Sequence, residues 1–173
     1  MSRPFNHVIP SPSIPYYFYD ARLGRPCNIY IAGLLPSNSV ENVSINLANA
    51  SDFPRLSVPF HLSIRPHERT LVRNSYLPDV GLGWQTEERH TRMAGFPFGY
   101  GGNFDLMLSL KYDKVRWVVE MIPSFQKLKS DFFSVAVNGQ HSFDFTHRMP
   151  ASGINLLNIT GNVLISSIRY EFL

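Results

Sequence analysis

The chain has 173 residues, of which 44% are hydrophobic and 17% are charged. This is long enough for one domain with a hydrophobic core and too apolar for a disordered chain. A net charge of +3 from scattered lysines and arginines does not favour a nucleic-acid-binding surface, and the single cysteine, Cys27, excludes an internal disulfide and a cysteine-cluster metal site. No apolar run reaches the length of a membrane span or a signal-peptide core, which favours folding in the cytosol.

Residues 1–13 are rich in proline and serine, which predicts a tail before a single domain at 14–173. Within that domain, short segments of alternating apolar and polar residues are separated by turn signals, as expected for β-strands. In chain order they read CNIYIAG, NVSINLAN, FHLSIRP and FDLMLSL. An Asn-Gly pair at 138–139 predicts a hairpin, and a turn near 161–162 separates two more strands. The pattern predicts an all-β fold, an antiparallel two-sheet β-sandwich.

One segment interrupts this regular spacing. Residues 111–130, KYDKVRWVVEMIPSFQKLKS, separate two strands that would otherwise be near neighbours. The stretch VRWVVEMI is compatible with an extra strand or a helical turn, and Pro123 ends either one. We therefore treat 111–130 as an insertion whose structure the sequence leaves open.

Polar residues gather around one strand and one tryptophan. The strand period of two puts His61, Ser63 and Arg65 in one row, and the same period separates Glu87 and Arg89 from Glu88. Taken singly, each has an ordinary explanation as a solvated strand face, a surface ion pair or a half-buried ring. Taken together, they form a candidate binding face with the following members: His61, Ser63, Arg65, Asn74, Trp84, Glu87 and Arg89.

The joint pattern resembles the galectin family. PFHLSIRPHERTLVRNS is similar to that family's H-x-N-P-R stretch and the V-x-N-S that follows it, and GWQTEER is similar to its W-G-x-E-x-R. FPFGYGGNFDLML, FFSVAVNGQHSFDFTHR and INLLNITGNVLISSI also resemble blocks of the family, so the resemblance covers almost the whole chain. It implies a jelly-roll sandwich of the galectin and concanavalin type that binds β-galactosides without metal or another cofactor.

The resemblance also implies a role for each residue. His61 and Arg65 would contact the axial O4 of galactose, and Trp84 would lie against the apolar face of the sugar ring. Asn74 and Glu87 would contact O6, while Arg89 would hold Glu87 and reach the next sugar. The implied partners are glycoproteins or glycolipids that carry lactose or N-acetyllactosamine units. A homodimer is one implied assembly, and export without a signal peptide is known in the family.

Two positions depart from the family pattern: Ser63 replaces an asparagine and Ile64 replaces a proline. The hydroxyl of Ser63 lacks the reach and the two donors of an amide, so the O4 contact is expected to weaken or to pass through water. This leaves open a galectin-fold protein with lost or altered sugar specificity that acts through protein contacts. A glycoside hydrolase needs two facing carboxylates, and a metal-dependent lectin needs clustered oxygen ligands. Because the predicted face carries only Glu87, neither is favoured and no enzyme is expected.

Overall fold

The computed structural model describes residues 7–52, 56–78, 83–90, 96–112 and 131–173. These form two antiparallel sheets, which confirms the predicted β-sandwich. The six-stranded sheet has the order β1-β13-β3-β9-β10-β11. Its strands are β1 (His7–Pro10), β3 (Cys27–Leu34), β9 (Asn103–Lys111), β10 (Phe132–Val137), β11 (Gln140–Thr146) and β13 (Leu164–Phe172).

The seven-stranded sheet has the order β2-β12-β4-β5-β6-β7, and β8 also pairs with β6. Its strands are β2 (Tyr16–Tyr19), β4 (Val43–Asn49), β5 (Ser57–Arg65), β6 (Thr70–Leu77), β7 (Gly83–Trp84), β8 (Glu88–His90) and β12 (Leu156–Thr160). Two short 3₁₀ turns, Ala21–Gly24 and Ala50–Asp52, follow β2 and β4. No helix in the described ranges is long and apolar enough to cross a membrane.

The core lies between the sheets and is built from alternate residues of each strand. Phe60 of β5 is fully buried, and its ring centroid lies 4.8 Å from that of Phe133 and 5.8 Å from that of Phe145, both on the opposite sheet. Because inward and outward residues alternate, burial of Phe60, Leu62 and Ile64 turns the intervening side chains of β5 outward.

The turns follow the sequence signals. Asn138 and Gly139 both have positive φ, at 52° and 76°, as the two-residue β10–β11 hairpin requires. Gly161, directly after β12, has a φ of 104°, but the next strand, β13, joins the other sheet.

The structure also describes parts of two other predicted segments, the tail at 1–13 and the insertion at 111–130. His7–Pro10, within the segment predicted as a tail, pair with β13 as an edge strand, where a proline is tolerated. Of the insertion predicted at 111–130, Lys111 ends β9 and Tyr112 donates a hydrogen bond to the Gly24 carbonyl. The remainder, 113–130, lies outside the described residues.

Candidate functional site

The predicted site residues lie together on the outer face of the seven-stranded sheet. His61 of β5 stands opposite Asn74 of β6, and Val72 of β6 stands opposite both Ser63 and Arg89. Two residues beyond Asn74 on β6, Tyr76 pairs with Trp84 of β7. The antiparallel register therefore brings four strands, β5, β6, β7 and β8, together at one surface.

Trp84 supplies the apolar part of this surface. Its side chain is half exposed, at 52%, which is unusual for so large a ring. Its ring centroid lies 4.7 Å from that of His61 and 5.2 Å from that of Tyr76. The indole is thus held by two neighbouring rings while much of its surface stays open to solvent.

Four charged side chains form a closed ring of ion pairs beside Trp84. Arg65 Nη2 lies 2.6 Å from Glu87 Oε1, and Arg89 Nη2 lies 2.8 Å from Glu87 Oε2. Arg89 Nη1 then lies 3.0 Å from Glu68 Oε2, and Arg65 Nη1 closes the ring at 3.6 Å from Glu68 Oε1. Each charge restrains its neighbours, so the site is pre-ordered before any ligand arrives.

Glu68 corrects the expectation of a single carboxylate on this face. Its contacts with Arg65 and Arg89 bring a second carboxylate to the same surface as Glu87. The Arg65 guanidinium beside Glu87, helped by Arg89, holds the pKa of the Glu87 carboxyl below its usual value. Glu87 therefore stays ionised, which does not suit the proton-donating acid that glycoside hydrolysis needs.

Glu88 faces away from this ring, as the strand period predicts. It lies opposite Arg73 and is bound by Arg73 Nε at 3.0 Å and by Arg148 Nη2 at 2.8 Å. Arg148 also donates to the Thr86 carbonyl at 2.8 Å and to Asn74 Oδ1 at 3.1 Å. Arg148 therefore holds the segment that carries Trp84 and Glu87 against β6.

Two of the predicted residues are buried within the site. Ser63 is only 3% exposed, and its Oγ accepts a long hydrogen bond of 3.4 Å from Arg65 Nε. Asn74 is 4% exposed, and its Nδ2 donates to the Gln85 carbonyl at 2.8 Å, next to Trp84. Both side chains are therefore almost fully enclosed, and they support the exposed residues around them.

His61 is neutral at physiological pH, because burial lowers the pKa of its imidazole from 6.5 to about 4. Its Nδ1 lies 2.6 Å from Asn46 Oδ1 on the adjacent strand β4. The sequence already places Asn46 on the polar face of NVSINLAN, but nothing in that pattern pairs it with His61.

The arrangement suits a neutral polyhydroxy ligand. It offers a wide apolar ring, charged hydrogen-bond donors and acceptors, and one neutral imidazole. Across the described ranges, no group of three His, Cys, Asp or Glu side chains is placed to hold a metal ion.

Comparison with known proteins points in the same direction. The family model described as galactoside-binding lectin matches residues 22–126 and 127–170. Galectin-4 of Sus scrofa is 32% identical over 161 residues, which cover 92% of this chain and 42% of that protein. The chain thus spans about two fifths of the length of the first curated relatives it matches.

Solved structures share the fold. Galectin LEC-6 of Caenorhabditis elegans has a TM-score of 0.70 at 24% identity, with 95% of each chain covered. A variant of human galectin-16 has a TM-score of 0.72 at 20% identity, with 95% of this chain and 100% of that chain covered. At these identities the two structures establish the architecture alone.

Proposed function

The chain belongs to the galactoside-binding lectin family, and from that premise we propose that it reversibly binds β-galactoside glycans. The observation that carries the proposal is the half-exposed Trp84 beside the ion-paired Arg65, Glu87 and Arg89. The glycans we propose are lactose or N-acetyllactosamine units on glycoproteins or glycolipids. Binding of this kind is recognition without bond breaking, so we propose a lectin and not an enzyme.

Selectivity for galactose rests on its axial O4. The O4 hydroxyl accepts a hydrogen bond from the Arg65 guanidinium and donates one to the neutral His61 imidazole. A hydrogen bond to a charged group contributes about 1.5–3 kcal/mol, against about 1 kcal/mol between neutral groups. An equatorial hydroxyl points elsewhere, so glucose would leave Arg65 without this partner.

Trp84 takes the opposite, apolar face of the sugar. With O4 axial, one face of galactose presents a patch of C–H groups, and the negative face of an indole ring attracts such groups. The contacts of Trp84 with His61 and Tyr76 fix the ring before binding, which lowers the entropic cost of association.

The remaining hydroxyls are bound by residues of the ion-pair ring and by Asn74. Glu87 accepts from O6, and Arg89 reaches the next sugar. Asn74 uses one Nδ2 hydrogen to hold the Gln85 carbonyl, which leaves its second hydrogen for O6. Supporting residues, chiefly Glu68 and Arg148, keep these groups in place.

Retention on lactosyl-agarose tests the proposal. Wild-type protein should bind the resin and elute with free lactose, but not with the same concentration of maltose. Trp84→Ala should pass through the column while keeping the circular dichroism spectrum of a β-protein. If folded wild-type protein also passes through, the proposed function is wrong, and a role through protein contacts becomes the favoured alternative.

Replacing Ser63 with alanine should change lactose affinity by less than about threefold. The substitution removes one hydrogen bond from the Arg65 guanidinium, which is weak because it is long, at 3.4 Å. Glu87 still holds the guanidinium at 2.6 Å, so the loss of binding free energy should stay below about 0.7 kcal/mol. Calorimetric titration with lactose measures the change. A loss above tenfold would mean that Ser63 contacts the sugar itself.

Lactose affinity should stay level between about pH 8 and pH 5 and fall as the pH drops through about 4. In that range His61 gains a proton and can no longer accept from O4, and its new charge faces Arg65. The unfolded chain binds this proton near pH 6.5, so the free energy of unfolding also falls as the pH drops from 6.5 to about 4. Affinity that halves near pH 6.5 in folded protein would contradict a buried, neutral His61.

A further inference from the structure

A line of hydrogen bonds leads away from His61 across three strands. Asn46 Oδ1 lies 2.6 Å from His61 Nδ1, and Asn46 Nδ2 donates to Asn158 Oδ1 at 3.1 Å. Asn158 Nδ2 then donates to the main-chain carbonyl of Tyr16 at 3.2 Å. The sheet register builds this line, because Asn158 pairs with Asn46 and Asn46 pairs with His61. We refer to Asn46 and Asn158 as the amide line.

The direction of the line is fixed at its far end. A main-chain carbonyl can only accept, so Asn158 must turn its NH₂ group toward Tyr16 and its oxygen toward Asn46. Asn46 must then turn its NH₂ group toward Asn158 and its oxygen toward His61. An amide oxygen can only accept, and therefore the hydrogen between Asn46 and His61 belongs to His61 Nδ1.

We propose that Asn46 and Asn158 are positioning residues that hold His61 as the Nδ1–H tautomer and leave Nε2 as a pure hydrogen-bond acceptor. The inference rests on the proposed function for its meaning, since Nε2 is the atom offered to the ligand. It assigns a purpose to two residues that lie on β4 and β12, outside the stretches on which the site was predicted.

The tautomer decides which ligand group fits between His61 and Arg65. The guanidinium of Arg65 only donates, and Nε2 without a hydrogen only accepts. A group that contacts both must therefore accept from one and donate to the other, as a hydroxyl does. An ether oxygen or a fluorine at that position accepts but cannot donate. The amide line thus makes the site selective for a free hydroxyl.

The tautomer can be measured without sugar. In long-range ¹H–¹⁵N spectra at pH 8, wild-type His61 should be mainly Nδ1–H. Asn46→Ala should shift it toward Nε2–H, the tautomer that imidazole favours in water, and Asn158→Ala should shift it less. Asn46→Asp should retain Nδ1–H, because a carboxylate still accepts. Asn28→Ala is the matched control: it removes two side-chain hydrogen bonds, to Glu171 and Ser109, on the opposite sheet.

Lactose affinity is the second readout. Loss of the acceptor state at Nε2 removes one hydrogen bond, so Asn46→Ala should weaken binding roughly threefold to tenfold. Asn46→Asp should recover most of this loss, and Asn28→Ala should match wild type. An Asn46→Ala variant that keeps the Nδ1–H tautomer, or that changes tautomer with unchanged affinity, would overturn the proposal. If wild type binds no lactose while the tautomer still responds to Asn46, the proposed function fails and the tautomer assignment stands.

Discussion

An Arg65→Met variant is expected to bind lactose at least about 100-fold more weakly than wild type. Methionine keeps much of the apolar stem and removes the charged donors that face O4. One charged hydrogen bond contributes about 1.5–3 kcal/mol, and Glu87 also loses the partner that holds it at 2.6 Å. Both losses weaken binding. Arg65→Met should therefore reduce lactose affinity more than any other single substitution in the site apart from loss of Trp84.

Arg169→Met is the matched control for Arg65→Met. Arg169 lies on β13 of the other sheet, where its guanidinium stacks 4.1 Å from the ring centroid of Tyr30. This variant also loses an arginine from a strand, and it should bind lactose like wild type. Calorimetry and a thermal melt on both variants separate binding from folding. Equal affinities for Arg65→Met and wild type would remove Arg65 from the site.

The largest effect on stability is expected for Phe60→Ala, which should lose about 3–5 kcal/mol of the free energy of unfolding. Phe60 is fully buried and contacts Phe133 and Phe145 of the opposite sheet, so its removal leaves a cavity where the two sheets meet. For a chain of this length the melting temperature should fall by roughly 6–20 °C.

Chemical denaturation of Phe60→Ala and Tyr17→Ala provides the measurement. Tyr17 is 54% exposed on the edge strand β2, so its replacement should change the free energy of unfolding by less than about 1 kcal/mol. If both variants unfold at the same denaturant concentration, Phe60 does not join the two sheets as described.

The fold could be predicted from alternation and turn chemistry, since both are local. The buried row Phe60, Leu62 and Ile64 and the Asn-Gly turn at 138–139 match their signals in the sequence. Alternation indicates which face of the sheet a side chain lies on, but it does not indicate which strand pairs with which. For that reason β12 and β13, joined by the short turn at 161–162, could not be assigned to different sheets in advance.

The candidate site also contains some residues that could be identified from the sequence and others that could not. His61, Arg65 and Trp84 could be chosen from their spacing and the family resemblance, and the structure brings them to one surface. The residues that support them could not be chosen, because their contacts depend on register between distant strands. Arg148 reaches Glu88 from 60 positions away, and Asn158 lies 112 positions from Asn46.

Calorimetric titration of the wild-type protein with lactose and with cellobiose tests the central claim most directly. The two disaccharides differ only in whether the O4 hydroxyl of the non-reducing ring is axial or equatorial. We predict saturable binding of lactose to one site and no binding of cellobiose over the same millimolar range. Equal binding of both sugars, or binding of neither by folded protein, would contradict a galactose site built on His61, Arg65 and Trp84.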